Sequence, residues 1–423
     1  MTTPELLPPA QDKRPNAWQQ IQTGRRSAQG WWKRTSGAVS QRWRGMPRWG
    51  RILLLLAFVA LLYVIALPDV YLNLGIPLPN GTYLPLYTDR SEMASVLFYC
   101  TWIVLLTLGL NIVVGYAGML DLGFFGFFAL GAYSIGLITS PQSKLLTQYH
   151  WMHSPWPWLA AVPVAIAIAM LSGALLGWPT LRLRGDYLAI VTLGFAEMIL
   201  IIAKQQNWIL NGDNGIPQIA HPPGTFPDGT PIFEYKPLPY YWLGLTVVIG
   251  VIFLIRNLER SRVGRAWIAI REDEDAAELM GVPTFRFKLW AFAMGAAIGG
   301  LSGAIWAGQE TFVNSGTFTL QNSILVLAAL LLGGAGNIGG AVLGGFLVIY
   351  VPEWLRGIGE DLGLPETANL FGRRIDISVT SLRYAIFGII LIIMMIFRPQ
   401  GIWPNRRRAA EYKDRRKEAV VGD

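Results

Sequence analysis

Apolar residues in this chain run in long unbroken blocks, and that arrangement constrains the fold more than any other feature. The block from Ile52 to Leu67 is the first of them. A helix crossing the hydrocarbon core needs about 20 mostly apolar residues. Blocks of this kind recur at 93–114, 119–139, 157–178, 187–203, 242–255, 289–307, 323–332, 338–351 and 382–397. The reading is an all-α integral membrane protein, a polytopic bundle of about ten transmembrane helices. The eighth and ninth blocks are short and divided by glycines. Two spans, one broken helix or a re-entrant pair all fit them. The first block lies behind too long a basic segment to be a simple secretory signal.

Composition agrees. Hydrophobic residues make up 52% of the 423 and charged residues 15%, against about 25% charged in a soluble domain. A disordered chain needs the opposite balance. A single cysteine, Cys100, excludes an intramolecular disulfide framework. His150 and His153 lack acidic or cysteine neighbours, so they read as loop residues and no metal is expected.

Lys and Arg favour cytoplasmic loops. Residues 1–51 hold ten basic residues, 256–288 hold seven and the tail from Arg398 holds eight. The link 179–186 adds Arg182 and Arg184. Segments 68–92 and 140–156 hold one each, and 204–241 holds two. Ten spans that start inside put every basic segment in the cytoplasm, with both termini there. The chain then divides into a basic N-terminal segment 1–51, a membrane domain 52–397 with an internal segment 256–288, and a basic tail 398–423. The net charge of +8 becomes a statement about orientation, and no nucleic acid is required. Trp31, Trp32, Trp43 and Trp49 among the N-terminal basic residues suit a lead-in that lies on lipid headgroups.

Gly334-Ala-Gly336-Asn-Ile-Gly339 matches the spacing of a dinucleotide-binding turn, with Glu353 about 20 residues on. No βαβ unit surrounds it, so the glycines read as a site of close helix approach or a backbone break. Gly173/Gly177, Gly295/Gly299, Gly299/Gly303 and Gly340/Gly344 have the same four-residue spacing. No P-loop occurs, so ATP hydrolysis by this chain is not expected, nor is any other catalytic role.

Ionisable residues within spans are costly and serve as functional hypotheses. Glu197 stands in mid-block, where it suits a substrate ammonium, a proton relay or an interhelical hydrogen bond. Asn111, Asp121 and Glu310 sit near block ends. In the internal segment, Arg271-Glu-Asp-Glu-Asp-Ala-Ala-Glu-Leu-Met280 is rich in helix formers, with Gly281 placed as a C-cap and Pro283 just beyond. The expectation is one short cytoplasmic helix, either a solvated loop helix or a docking element.

Asp275-Ala-Ala-x-x-x-Gly281 resembles the EAA signature of ABC importer permeases. Asp275 stands where Glu is usual, and the Ile-x-Leu-Pro half of the signature is absent. The wider string from Gly264 to Ile305, Leu110–Gly118, Leu122–Tyr133, Arg182–Gly194, Leu332–Gly340 and Arg398–Ile402 resemble blocks of the M-type permease subunit of branched-chain amino acid importers. Asp121 stands where that family often has Ser. The resemblance covers about residues 93–403.

It implies a bacterial plasma (inner) membrane subunit paired with a related permease as a heterodimer. It further implies two cytoplasmic ATPases carrying ATP and Mg, and an extracytoplasmic solute-binding protein. Arg271, Asp275, Ala276, Ala277, Glu278 and Gly281 would dock the ATPase. Tyr116, Asp121, Thr192 and Glu197 would stand near the translocation pathway for a branched-chain or other neutral amino acid. A urea or short-chain amide importer, and a proton-coupled transporter using Glu197, are the other readings.

Overall fold

The structure is a computed structural model. It describes residues 48–67, 75–77, 83–85, 93–150, 154–181, 186–225, 231–233, 236–361, 368–370, 373–375, 379–398 and 400–404. The basic N-terminal segment to residue 47, Arg182, Arg184, His153 and the tail beyond residue 404 lie outside these. The chain divides into two compact units, residues 1–62 and 63–423. Helix α1, Arg48–Val64, carries the first apolar block.

The larger unit is helical apart from two short hairpins, β1–β2 (Gly75–Pro77, Tyr83–Pro85) and β3–β4 (Ala368–Leu370, Arg373–Ile375). Its helices are α2 (Met93–Leu110), α3 (Phe125–Thr139), α4 (Lys144–Thr147), α5 (Trp158–Thr180), α6 (Asp186–Gln205) and α7 (Pro237–Arg260). They continue with α8 (Arg262–Glu272), α9 (Glu274–Leu279), α10 (Thr284–Glu310), α11 (Leu320–Gly333), α12 (Ile338–Asp361) and α13 (Val379–Phe397). Among the described residues, seven helical segments are long and apolar enough to cross a membrane. They are 93–116, 158–180, 187–205, 237–260, 284–310, 315–333 and 338–356.

Burial sorts these helices into two classes. In α2 the apolar residues go all the way round, and 94% of its span window is buried, as expected of a helix in the middle of a bundle. Helix α10 is the other central element, with 72% of its window buried. It packs on α2, α3 and α5. Gly131 of α3 meets Gly300 of α10 so closely that a Cβ on Gly131 would stand 2.1 Å from the Gly300 carbonyl oxygen. The expected small-residue contacts are therefore present, since Gly173 lies against Ala296 and Gly303 against Phe128. The outer helices α5 and α6 bury only 22% of their windows. Leu171 and Leu175 on α5 and Ile190 and Met198 on α6 stay exposed. Outside water, such faces suit lipid tails.

Two features of the spans matter for function. One is a departure from expectation: the block 119–139 is helical only from Phe125, and its 15 residues reach about 22 Å, short of a ~30 Å core. Residues 117–124 are not helical. The preceding helix ends in a π-helical turn, Asn111–Tyr116, a feature that often marks functional sites. The other is the arrangement of the eighth and ninth blocks, which the sequence left open. They are two separate helices, α11 and α12, divided by a backbone break at 334–337. The run before Gly334 is a helix, so no strand precedes the G-x-G-x-x-G spacing.

Candidate coupling segment and pathway breaks

The internal segment holds two helices where the sequence suggested one. Ser261 caps α8, its hydroxyl accepting from the amides of Val263 and Gly264. Asp273 then adopts an extended conformation and caps α9, accepting from the Ala276 amide at 2.9 Å. A carboxylate that competes for backbone donors starts a new helix more readily than it continues an old one, and the acidic run is therefore split at Asp273. The end of α9 matches expectation. Gly281 takes φ +83°, its amide donates to Glu278 O at 2.9 Å, and Val282 N donates to Ala277 O at 3.0 Å. That pair of bonds is a Schellman motif.

The segment is bolted to the start of α10. Trp267 is 1% exposed, and its indole N–H donates to Phe287 O at 2.7 Å. Lys288 pairs with Glu274 at 2.5 Å. An aromatic ring buried with its polar handle satisfied makes a stiff joint.

The six residues expected to dock an ATPase separate into two groups. Asp275, Ala276, Glu278 and Gly281 are exposed on α9 and the turn after it, while Ala277 is buried against the bundle. Arg271 points the other way. It is half-buried, and its Nη1 donates to Gly115 O at 2.7 Å, at the end of the π-helical turn. Sequence reasoning missed Leu279 and Met280, which are 89% and 84% exposed. Their signal was present: two large apolar residues close a charged helix just before a chain-reversing glycine. They leave two large apolar side chains uncovered on the charged helix that carries Asp275 and Glu278.

The pathway candidates cluster at the first break. Asp121 is 1% exposed, and its Oδ1 accepts from Gly123 N at 2.9 Å. Thr192 on α6 is fully buried and accepts from Leu122 N at 3.1 Å. These two residues hold the 121–123 backbone against α6, so closely that a Cβ on Gly123 would overlap the Thr192 carbonyl. Tyr116, 3% exposed, closes the π-helical turn on the same connection. Glu197 lies further along α6 and is half-buried. Of the weaker candidates, Glu310 accepts from the Tyr99 hydroxyl at 2.7 Å. Asn111 is fully buried and accepts from Gly336 N at 2.8 Å, so the two breaks are tied to each other.

The second break is closed from the other side by residues 402 and 403. Ile402 N and Trp403 N donate to Leu332 O and Gly333 O, both at 2.9 Å, and Asn337 Nδ2 donates to Trp403 O at 2.9 Å. The 400–404 strap thus satisfies the last carbonyls of α11, which a helix end leaves orphaned.

The family described as branched-chain amino acid transport system / permease component matches residues 92–395. The high-affinity branched-chain amino acid transport system permease protein LivM of Escherichia coli is 35% identical over 329 residues, 74% of this chain and 70% of that protein. The probable branched-chain amino acid transport permease protein LivM of Methanocaldococcus jannaschii is 26% identical over 255 residues, 59% of this chain and 68% of its own. The autoinducer 2 import system permease protein LsrC of Yersinia pseudotuberculosis is 26% identical over 202 residues, covering 47% and 53%. No solved structure matches the chain. With the π-helical turn, both breaks, α8–α9 and α10 all inside the matched residues, the chain belongs to the family of branched-chain amino acid transport permease components.

Proposed function

We propose that this chain forms one half of the translocation pathway of an ATP-driven importer for branched-chain amino acids, in a bacterial plasma membrane. Its implied partners are a related permease as the other half, two cytoplasmic ATPases that carry ATP and Mg, and an extracytoplasmic solute-binding protein. The chain itself binds no cofactor and catalyses nothing. The ten apolar blocks of the sequence and the distribution of Lys and Arg support ten crossings with both termini in the cytoplasm. The membership in a permease family displaces the proton-coupled reading of Glu197.

One observation carries the docking half of the reading. An exposed tip, Asp275–Gly281 with Leu279 and Met280, is rigidly joined to the central helix α10 through Trp267 and the Lys288–Glu274 pair. A partner that moves this tip moves the middle of the bundle. The exposed Asp275, Ala276, Glu278 and Gly281 therefore form the proposed ATPase contact, and the buried Ala277 seats the tip on the bundle. Tyr116, Asp121, Thr192 and Glu197 are the proposed pathway residues, where polar groups at helix breaks meet the charges of a zwitterion.

The test is co-purification. Met280→Asp buries a charge in the proposed interface and is expected to cost about 2 kcal/mol, about thirty-fold in ATPase association. The amount of protein in the membrane stays unchanged. Full retention of the ATPases by that variant refutes the docking assignment. The substrate class is tested by competition uptake with Leu, Ile, Val, Ala and urea. Inhibition by urea but not by Leu refutes the amino acid reading.

A further inference from the structure

We propose that Arg271 is a positioning residue that passes movement of the coupling segment to the two backbone breaks, with Asn111 as its relay, and that it takes no part in docking. The proposal rests on the importer reading above and assigns one of its residues a different task.

The geometry is that of a built seat. Gly115 O lies near the end of the π-helical turn. The neighbouring carbonyls of Ile112 and Val113 are taken by Ala117 N and Met119 N, both at 3.1 Å. Gly115 O is taken by the guanidinium of a residue 156 positions away. The stem of Arg271 lies on Gly118, where φ is +74° and a Cβ would stand 2.7 Å from Arg271 Cγ. Its Nη1 lies beside Gly336, whose φ is +84° and whose Cβ would stand 2.9 Å from that nitrogen. A glycine from each break thus makes room for one side chain. Asn111 completes the arrangement, since its Oδ1 accepts from the Gly336 amide at 2.8 Å.

The mechanical consequence follows from which helices each anchor joins. Trp267 and Glu274 fasten the segment to α10 alone. Arg271 fastens it to the end of α2, and Asn111 fastens that end to the α11–α12 break. Without Arg271, α8 still packs on α10 and on the π-helical turn, but it loses the side chain that touches both breaks. Docking is untouched, because the exposed tip lies on α9 and the turn beyond it. A guanidinium suits this post because it stays charged and offers several donors in a fixed plane. Two sites are coupled when each biases the same two-state element, and the pair of tied breaks is such an element.

The experiment uses the assembled importer in proteoliposomes, with ATP hydrolysis and amino acid uptake measured on the same sample. Arg271→Ala is expected to retain its ATPases and their hydrolysis, while uptake per ATP hydrolysed falls about ten-fold. Asn111→Ala, remote from the tip, is expected to do the same. Arg271→Lys keeps the charge and one donor and is expected to fall between. It also serves as the working variant where Arg271→Ala does not accumulate. Unchanged uptake per ATP in Arg271→Ala overturns the proposal. Loss of the ATPases from Arg271→Ala overturns it too, by making Arg271 a docking residue. ATP-driven uptake by the wild-type assembly, measured alongside, decides the importer reading separately.

Discussion

At Gly281 the backbone turns at φ +83°, with nothing within 4 Å of a Cβ built there. Any effect of a small substitution must therefore be conformational rather than steric. Gly281→Ala should cost about 1 kcal/mol for a left-handed residue with a side chain, loosening the end of α9 without perturbing the bundle. Gly281→Trp adds bulk to the proposed contact surface and should abolish uptake while the membrane-inserted amount stays the same. Normal uptake by the Trp variant would remove this turn from the interface. On the pathway side, Glu197→Gln keeps the shape of a half-buried side chain on α6 and removes its charge. If the carboxylate holds a substrate ammonium, the variant needs about ten-fold more substrate for half-maximal uptake, the loss expected of one charge-assisted hydrogen bond. Unchanged half-saturation returns Glu197 to a packing role.

The central elements meet by close backbone approach at glycines as well as through large aromatic side chains such as Trp102, Phe128 and Trp306. Helices α3 and α10 touch at Gly131 and Gly300, and a Cβ on Gly300 would stand 2.4 Å from Ala169 Cβ on α5. Gly300→Leu should therefore separate three helices at once. Detergent-solubilised protein is expected to unfold at lower temperature and to aggregate on size exclusion; an unshifted unfolding temperature would show that the bundle can part there. The four-residue glycine spacing made Gly173 and Gly303 legible as contact points but did not include Gly131 or Gly300, and the apolar blocks made the long helices legible. What was not legible is instructive. Glycines between Gly115 and Gly131 signal a break in the block 119–139, but the pattern does not reveal that Asp121 and Thr192 hold its first part out of a helix. The acidic run 272–278 has uniform helix propensity, so only the cap formed by Asp273 divides it. Arg271 looked like its charged neighbours, but its partner is a carbonyl far away in sequence. Local pattern reports period and propensity. It does not report tertiary hydrogen bonds, and the site is made of those.

At the scale of the whole molecule, the distribution of burial bears on whether the chain can work alone. Helix α2 is wholly inside the bundle, while α5, α6 and α7 leave large apolar side chains such as Leu175, Ile190 and Phe253 uncovered. The π-helical turn and the break at 334–337 are tied to each other and to the 262–279 segment by Asn111 and Arg271. The sequence carries no P-loop of its own. In the proposed assembly, movement arrives from the ATPases through α8–α9, because a partner shifts an equilibrium only by binding its two states unequally. Proteoliposomes containing this chain alone should accumulate no leucine, isoleucine or valine under either ATP or a proton gradient. Adding the related permease and the ATPases should give ATP hydrolysis with little uptake, and adding the solute-binding protein should give concentrative, ATP-dependent uptake. Accumulation by the isolated chain under a proton gradient would refute the four-part assembly and restore Glu197 as the coupling group.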